Sequence, residues 1–185
     1  MNETLQWVFE KKSQDGAKKS SRFTLSGAEK ARRFHQSFPG YVPTPLVKLP
    51  ALAETLGVSG LYVKDESKRF GLNAFKGLGG SYCLGRYIAE KLKVDIDDLP
   101  YDKMTSREVK ETLGEITFVT ATDGNHGRGI AWTAHMLGQQ AVVFMPKGSV
   151  RERLENIRKL GARDESTELS YDQPRAYARG AEKRS

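Results

Sequence analysis

"ITFVTATDGNHGRGIAWTAHMLGQQAVVFMPKGSVRERLENIRKLG", residues 116–161, changes its hydrophobic period from element to element. ITFVTA (116–121) is a short β-branched run, and NHGRGIAWTAHMLG (125–138) then carries apolar residues at helical spacing. QAVVFMP (140–146) returns to strand character, and SVRERLENIRKLG (149–161) sets Val150, Leu154, Ile157 and Leu160 on one helical face. Strand, helix, strand, helix predicts an α/β fold with a parallel sheet, because parallel neighbours need a crossover and the crossover helices cover the sheet. The following ARDESTELSYD (162–172) is charged and makes a poor strand. QPRAYARGAEKRS (173–185) reads as a helix-like ending, with no further strand to close the core.

Upstream, NAFKGLGGSYCLGRYIAEKL (73–92) reads as a helix with Asn73 as its N-cap and Lys76 in its first turn. LYVKDES (61–67) before it reads as a buried strand ending in a polar loop. FPGYVPTPL (38–46) holds three prolines, which fix φ and exclude a helix, so it is an extended connector. PALAETLGVSG (50–60) is a short helix stopped at Gly57, AEKARRFHQSF (28–38) another short helix, and the charged 93–115 an insertion or peripheral helix. The organisation expected is an N-terminal arm (1–36), the first part of a large domain (37–90) and an incomplete small α/β domain (91–185).

With 185 residues, 38% of them apolar and 29% charged, the chain is long enough for a sizeable core. No apolar run approaches the roughly 20 residues that span a bilayer, and the polar start is no signal peptide, so a cytoplasmic protein without a membrane partner is expected. A single cysteine, Cys83, excludes an internal disulfide, and His35, His126 and His135 lack metal-ligand spacing. The net charge of +7 comes from diffuse basic stretches without interleaved aromatics, which points away from nucleic acid and toward a solvated surface or a phosphorylated ligand.

Two glycine-rich turns remain. RFGLNAFKGLGG (69–80) places Lys76 among Gly71, Gly77, Gly79 and Gly80, although each interior glycine costs a helix roughly 1 kcal/mol relative to alanine. That cost is offset where something must approach the backbone closely. TDGNHGRG (122–129) joins a strand to a helix, where an anion can bind. Its glycines do not form G-x-G-x-x-G, and no G-x-x-x-x-G-K-[ST] occurs, so neither a dinucleotide site nor a P-loop is expected. What it presents is Asp123, Asn125 and His126 at the carboxyl end of a strand, where open α/β sheets bind ligands.

A lysine in a glycine-lined helix start together with a D-G-N-H turn resembles the fold-type-II family of pyridoxal-phosphate enzymes, the tryptophan synthase β-like group. FPGYVPTPL, VKDESKRFGLNAFKGLGGSY, TDGNHGRGIAW and FMPKGSVRERLENIRKLGA look like segments, in the same order, of the branch that acts on 2,3-diaminopropionate. The resemblance covers residues 34–162. It implies pyridoxal 5'-phosphate as cofactor, a small amino-acid substrate, a homodimer in the complete enzyme, and α,β-elimination to pyruvate and ammonia with the cofactor as electron sink. Lys76 is by resemblance the cofactor-bearing lysine, expected in an apolar, partly dry pocket that favours its nucleophilic form. Asn125 is implied to hydrogen-bond the ring's phenolic oxygen, with Gly124 beside it in the cofactor site. Asp123, where relatives carry serine, is implied as a second base on the face opposite Lys76, so that either enantiomer can lose its Cα proton. Glycines 77, 79 and 80 are expected to leave room for the ring and for close helix packing.

Plainer readings stand beside these: Lys76 as an ordinary helix lysine, Asn125 as an N-cap, Asp123 as a helix-dipole partner, and His126 as a packing residue. Members of the family are about twice as long, and their phosphate loop and pyridine-nitrogen partner lie beyond the last residue matched. An N-terminal fragment, inactive alone, is therefore expected. Another β-eliminase or deaminase of the same fold and a non-catalytic dimerising remnant are the alternatives.

Overall fold

In the computed structural model, which describes residues 24–122 and 124–167, helix α1 (Leu25–Gln36) starts at Thr24, whose hydroxyl accepts the Gly27 amide at 3.1 Å. That bond satisfies one of the donors a helix start leaves open. The proline-rich connector leads to β1 (Leu46–Lys48), α2 (Pro50–Thr55) and β2 (Tyr62–Lys64), and the two strands pair antiparallel with Val47 opposite Val63. Strand β2 is exposed at all three residues rather than buried. A two-stranded ribbon among the described residues has no second layer to cover it.

A 3-10 turn at Arg69–Gly71 precedes α3 (Lys76–Leu92). Lys76 opens the helix, and Phe75, not Asn73, is the cap. Asn73 instead takes φ +53°, a left-handed conformation that asparagine tolerates better than most residues. The charged 93–115 region forms a 3-10 turn at Ile96–Asp98 and two short helices, α4 (Tyr101–Met104) and α5 (Arg107–Leu113). It is no peripheral insertion, since Ile96, Leu99, Met104 and Val109 are buried in the main apolar cluster.

The alternation then appears as expected: β3 (Thr117–Ala121), α6 (Asn125–Met136), β4 (Gln140–Pro146) and α7 (Arg151–Arg158). The sheet is parallel in the order β3-β4-β5, with Val119 beside Val142 and Val142 beside Arg163. Its third member, β5 (Arg163–Thr167), forms from the charged stretch that reads as a poor strand. Arg158 of α7 holds the Asp164 carboxylate at 2.5 and 2.9 Å, so this edge strand carries charge that its own crossover helix partners. On α7 Ile157 is buried, whereas Val150 caps the helix and is 58% exposed, off the face expected for it. The ending at 173–185 lies outside the described residues.

Two apolar clusters hold these elements. The larger joins α1, α3, α4, α5 and α6 through Phe34, Ile88, Leu99, Met104, Val109 and Trp132, and each fully buried large side chain contributes roughly 1.5–3 kcal/mol. Phe34 seats its ring in the notch left by Gly85, where a Cβ would stand 2.5 Å from the ring. The smaller cluster lies between the sheet and its helices, around Ala131, Val143, Met145 and Ile157. No helix of the described residues is long and apolar enough to cross a membrane.

Candidate active site

Helices α3 and α6 cross at their first turns, main chain against main chain. A Cβ on Gly129 would lie 2.9 Å from both the carbonyl carbon and oxygen of Lys76 and 3.1 Å from the Gly77 nitrogen. One on Gly80 would lie 3.3 Å from the Gly129 carbonyl oxygen, and one on Gly77 would strike Leu72 at 2.8 Å. Gly80 and Gly129, which cost these helices intrinsic stability, thus serve the crossing, while Gly77 leaves room for the Leu72 side chain. Gly79 is different: it is exposed and a Cβ there would meet nothing within 4 Å. One helical turn from Lys76, that open side leaves room for a flat group.

Lys76 itself is exposed, its Nζ 5.1 Å from the centre of the exposed Phe75 ring. The dry pocket expected around it is not built by the described residues. What they do build is its footing. Phe70 and Gly71 take φ +50° and +70°, Asn73 takes +53°, and a non-glycine residue held in that region costs roughly 1–2 kcal/mol. The strain is held by contacts on either side. Phe70 stacks on Trp132 at 4.5 Å and 23°. Arg69, 5% exposed, donates to both Glu66 carboxylate oxygens at 2.8 and 3.1 Å, to the Val42 carbonyl at 2.8 Å and to the Thr44 hydroxyl at 3.0 Å. Thr44 also bonds Glu66 and Lys64. Hydrogen bonds from Arg69 and then from Thr44 hold the Glu66 carboxyl well below its ordinary value, at about 2.

Two further side chains act on the approach to α3. His35 of α1 donates through Nε2 to the Leu78 carbonyl at 2.8 Å, and burial, with the nearby Arg69 charge, lowers its pKa so that the ring stays neutral. Arg128 reaches from α6 to the Leu72 carbonyl at 2.8 Å through Nη1.

The start of α6 is shaped by Thr122, buried at the end of β3, whose hydroxyl accepts the Gly124 amide at 3.2 Å. Gly124 is the cap and no side chain of the described residues caps the helix, so Asn125 is its first residue and not the N-cap. Asn125 and His126 are exposed. Although His126 is exposed overall, partial desolvation of its ring, and then the charge of Lys76, lowers its pKa. Asp123 lies outside the described residues. Helix α3 likewise lacks a side-chain cap. Helix starts without a side-chain cap among the described residues, α3 opening at Lys76 itself, favour a ligand with a carboxylate or phosphate, and the open side at Gly79 suits a planar ring, so these residues fit the pyridoxal phosphate that the resemblance implies.

Of the residues the resemblance singles out, the fold seats the Lys76 main chain at this crossing, against Gly129, while Gly124 and Asn125 stand at the start of α6. Residue pattern misses Arg69, Arg128 and His35, because each works on a distant main-chain carbonyl. The one signal the sequence holds for them is Glu66 three residues before Arg69, an ion-pair spacing within a turn.

Residues 38–185 match the family model described as pyridoxal-phosphate dependent enzyme. Diaminopropionate ammonia-lyase of Salmonella typhimurium is 55% identical over 139 residues, 75% of this chain and 34% of that protein. The protein of the same name from Escherichia coli is 51% identical over 154 residues, 83% of this chain and 37% of that protein. The chain thus spans about a third of the length of these relatives. A crystal structure of Escherichia coli diaminopropionate ammonia lyase in complex with D-serine superposes with a TM-score of 0.80 at 48% identity, covering 89% of this chain and 41% of the other.

Proposed function

Because the chain belongs to the pyridoxal-phosphate dependent enzyme family, we propose that Lys76 is the cofactor-bearing lysine of an enzyme that eliminates both amino groups of 2,3-diaminopropionate, leaving pyruvate and ammonia. One observation carries the reading: an exposed amine on the first residue of a helix whose main chain is seated against Gly129 of a second, uncapped helix start. The relatives named for this reaction support the substrate class. The activity is that of the whole protein carrying this segment, and it belongs to amino-acid catabolism in the reducing cytoplasm, in keeping with one cysteine.

Pyridoxal phosphate, when bound, supplies an aldehyde for an amine and a conjugated ring that takes up electron density from Cα. Lys76 Nζ supplies that amine and accepts a proton on one face of the substrate's Cα. The Asp123 carboxylate accepts it on the other face. With the cofactor bound, Asn125 would donate its side-chain amide to the ring's phenolic oxygen, Gly124 would leave that side free of bulk, and the first-turn amides of α6 would hold the substrate carboxylate.

Borohydride reduction of the full-length protein mixed with pyridoxal phosphate, followed by peptide mapping, is the test. A pyridoxyl adduct on Lys76 is expected, and none with Lys76→Ala; an adduct on a different lysine of the wild type overturns the reading. The second base has its own measurement. Asp123→Asn should lower turnover of D-diaminopropionate roughly 100-fold, within the usual contribution of a general base, and that of the L form much less. The D-serine complex of a relative makes the D substrate the informative one. Equal losses for both enantiomers would mean that Asp123 does not serve one face.

A further inference from the structure

We propose that Arg128 is a positioning residue for Lys76: its guanidinium ties the first turn of α6 to the loop that feeds α3, and so fixes where the lysine amine stands. The inference rests on Lys76 being the cofactor lysine. The loop needs such a tie, because Phe70, Gly71 and Asn73 all have positive φ and left-handed residues cannot join the hydrogen-bond ladder of the helix they lead into. Leu72 sits among them, 3% exposed, and its amide is held by the Arg69 carbonyl at 2.8 Å. Its carbonyl is held from the opposite side by Arg128 Nη1 at 2.8 Å, across 56 positions of sequence.

The placement of Arg128 is what gives this bond its consequence. Arg128 immediately precedes Gly129, whose Cα rests on the Lys76 main chain. One helical turn of α6 therefore holds Lys76 at the residue itself and again four residues upstream, at Leu72. Among the described residues Arg128 Nε is buried with no hydrogen-bond partner, whereas buried polar atoms are ordinarily satisfied. The side chain is thus not one strand of a redundant network like that of Arg69, and removing its donors acts on the Leu72 carbonyl in particular.

The test uses the full-length protein with Arg128→Met, which keeps the stem without a donor, and Arg128→Lys, which keeps one donor. In the cofactor-free protein, hydrogen exchange at the amides of 71–76 should quicken at least about 10-fold in Arg128→Met while those of 131–136 are unchanged, as expected for local rather than global opening. With cofactor, kcat should fall roughly 100-fold with KM moved less than about 3-fold, since misplacement of a reacting group by about 1 Å has that effect, and Arg128→Lys should recover most of the loss. Unchanged exchange at 71–76 overturns the tie. Quickened exchange with unaltered kcat overturns the positioning role. Exchange rising equally across α6, with kcat intact below melting, shows a merely structural residue. Should Arg128→Met not fold, Arg128→Lys is read alone, and wild-type exchange at 71–76 together with wild-type kcat overturns the proposal. The exchange result is independent of which lysine bears the cofactor, which the adduct mapping decides separately.

Discussion

Gly129→Ala is expected to destabilise the protein by about 2–3 kcal/mol, in the range of overpacked interiors, and to lower turnover roughly 100-fold by displacing a reacting amine. The added methyl would stand 2.9 Å from the Lys76 carbonyl carbon and oxygen and 3.1 Å from the Gly77 nitrogen. None of these atoms belongs to a side chain that can rotate away, so the relief must come from moving one helix off the other. Since Lys76 is the first residue of α3, the part that moves is the part that bears the amine. Gly79→Ala in the same helix is the control: its methyl meets nothing within 4 Å, and replacing an exposed helical glycine should leave stability unchanged or raise it by roughly 0.5–1 kcal/mol. Denaturant midpoints and kcat for the two variants decide the matter. A Gly129→Ala protein with wild-type midpoint and turnover would show that the crossing is slack.

Arg69→Met should cost about 3 kcal/mol, the lower end of what removing one partner of a buried pair does, because the Glu66 side chain keeps 17% exposure. The loss leaves the Glu66 carboxylate without the two Arg69 donors and frees the Val42 and Thr44 oxygens. It should also change the acid limb of stability. In the wild type the Glu66 carboxyl is held down from 4.5 to about 2, so the ionised form is favoured by folding. That contribution is complete above about pH 4.5 and is lost as pH falls toward 2. Without Arg69 the folded value rises toward or past the unfolded one, and this slope should flatten. Glu66→Gln combined with Arg69→Met should recover part of the loss, as removing both members of a buried pair does. An acid limb identical in wild type and Arg69→Met would mean that Glu66 is held by something other than the arginine.

The elements legible in the sequence are those decided by their own residues. Strand β3 is a β-branched and aromatic run and β4 an almost wholly apolar one, α6 and the Lys76 helix have helical spacing, and each forms where the pattern puts it. Strand β5 is illegible because nothing in RDEST favours a strand; the free edge of β4 and the reach of Arg158 to Asp164 create it. Asn73 looks like a cap on composition alone, yet the turn closed by Arg69 and Arg128 puts it in a left-handed well. Burial misleads in both directions. Tyr62 and Val63 have strand character and stand 55% and 45% exposed, while Ile96 and Leu99, in a highly charged stretch, are 6% and 1% exposed. Around the site, Arg69, His35 and Arg128 meet carbonyls 27, 43 and 56 positions away, and a side chain bonded to a distant main-chain oxygen leaves no mark on the partner's identity.

The same distinction between side-chain and main-chain neighbours bears on how this sequence can drift. Gly85 faces the Phe34 ring and Gly77 faces the Leu72 side chain, so a larger residue at either glycine can be accommodated by a smaller one opposite, and such positions can trade volume in pairs. Gly129 faces the carbonyl of Lys76 and the nitrogen of Gly77, atoms that every amino acid places in the same spot. No second substitution on α3 can make room there, so position 129 has no partner with which to trade volume.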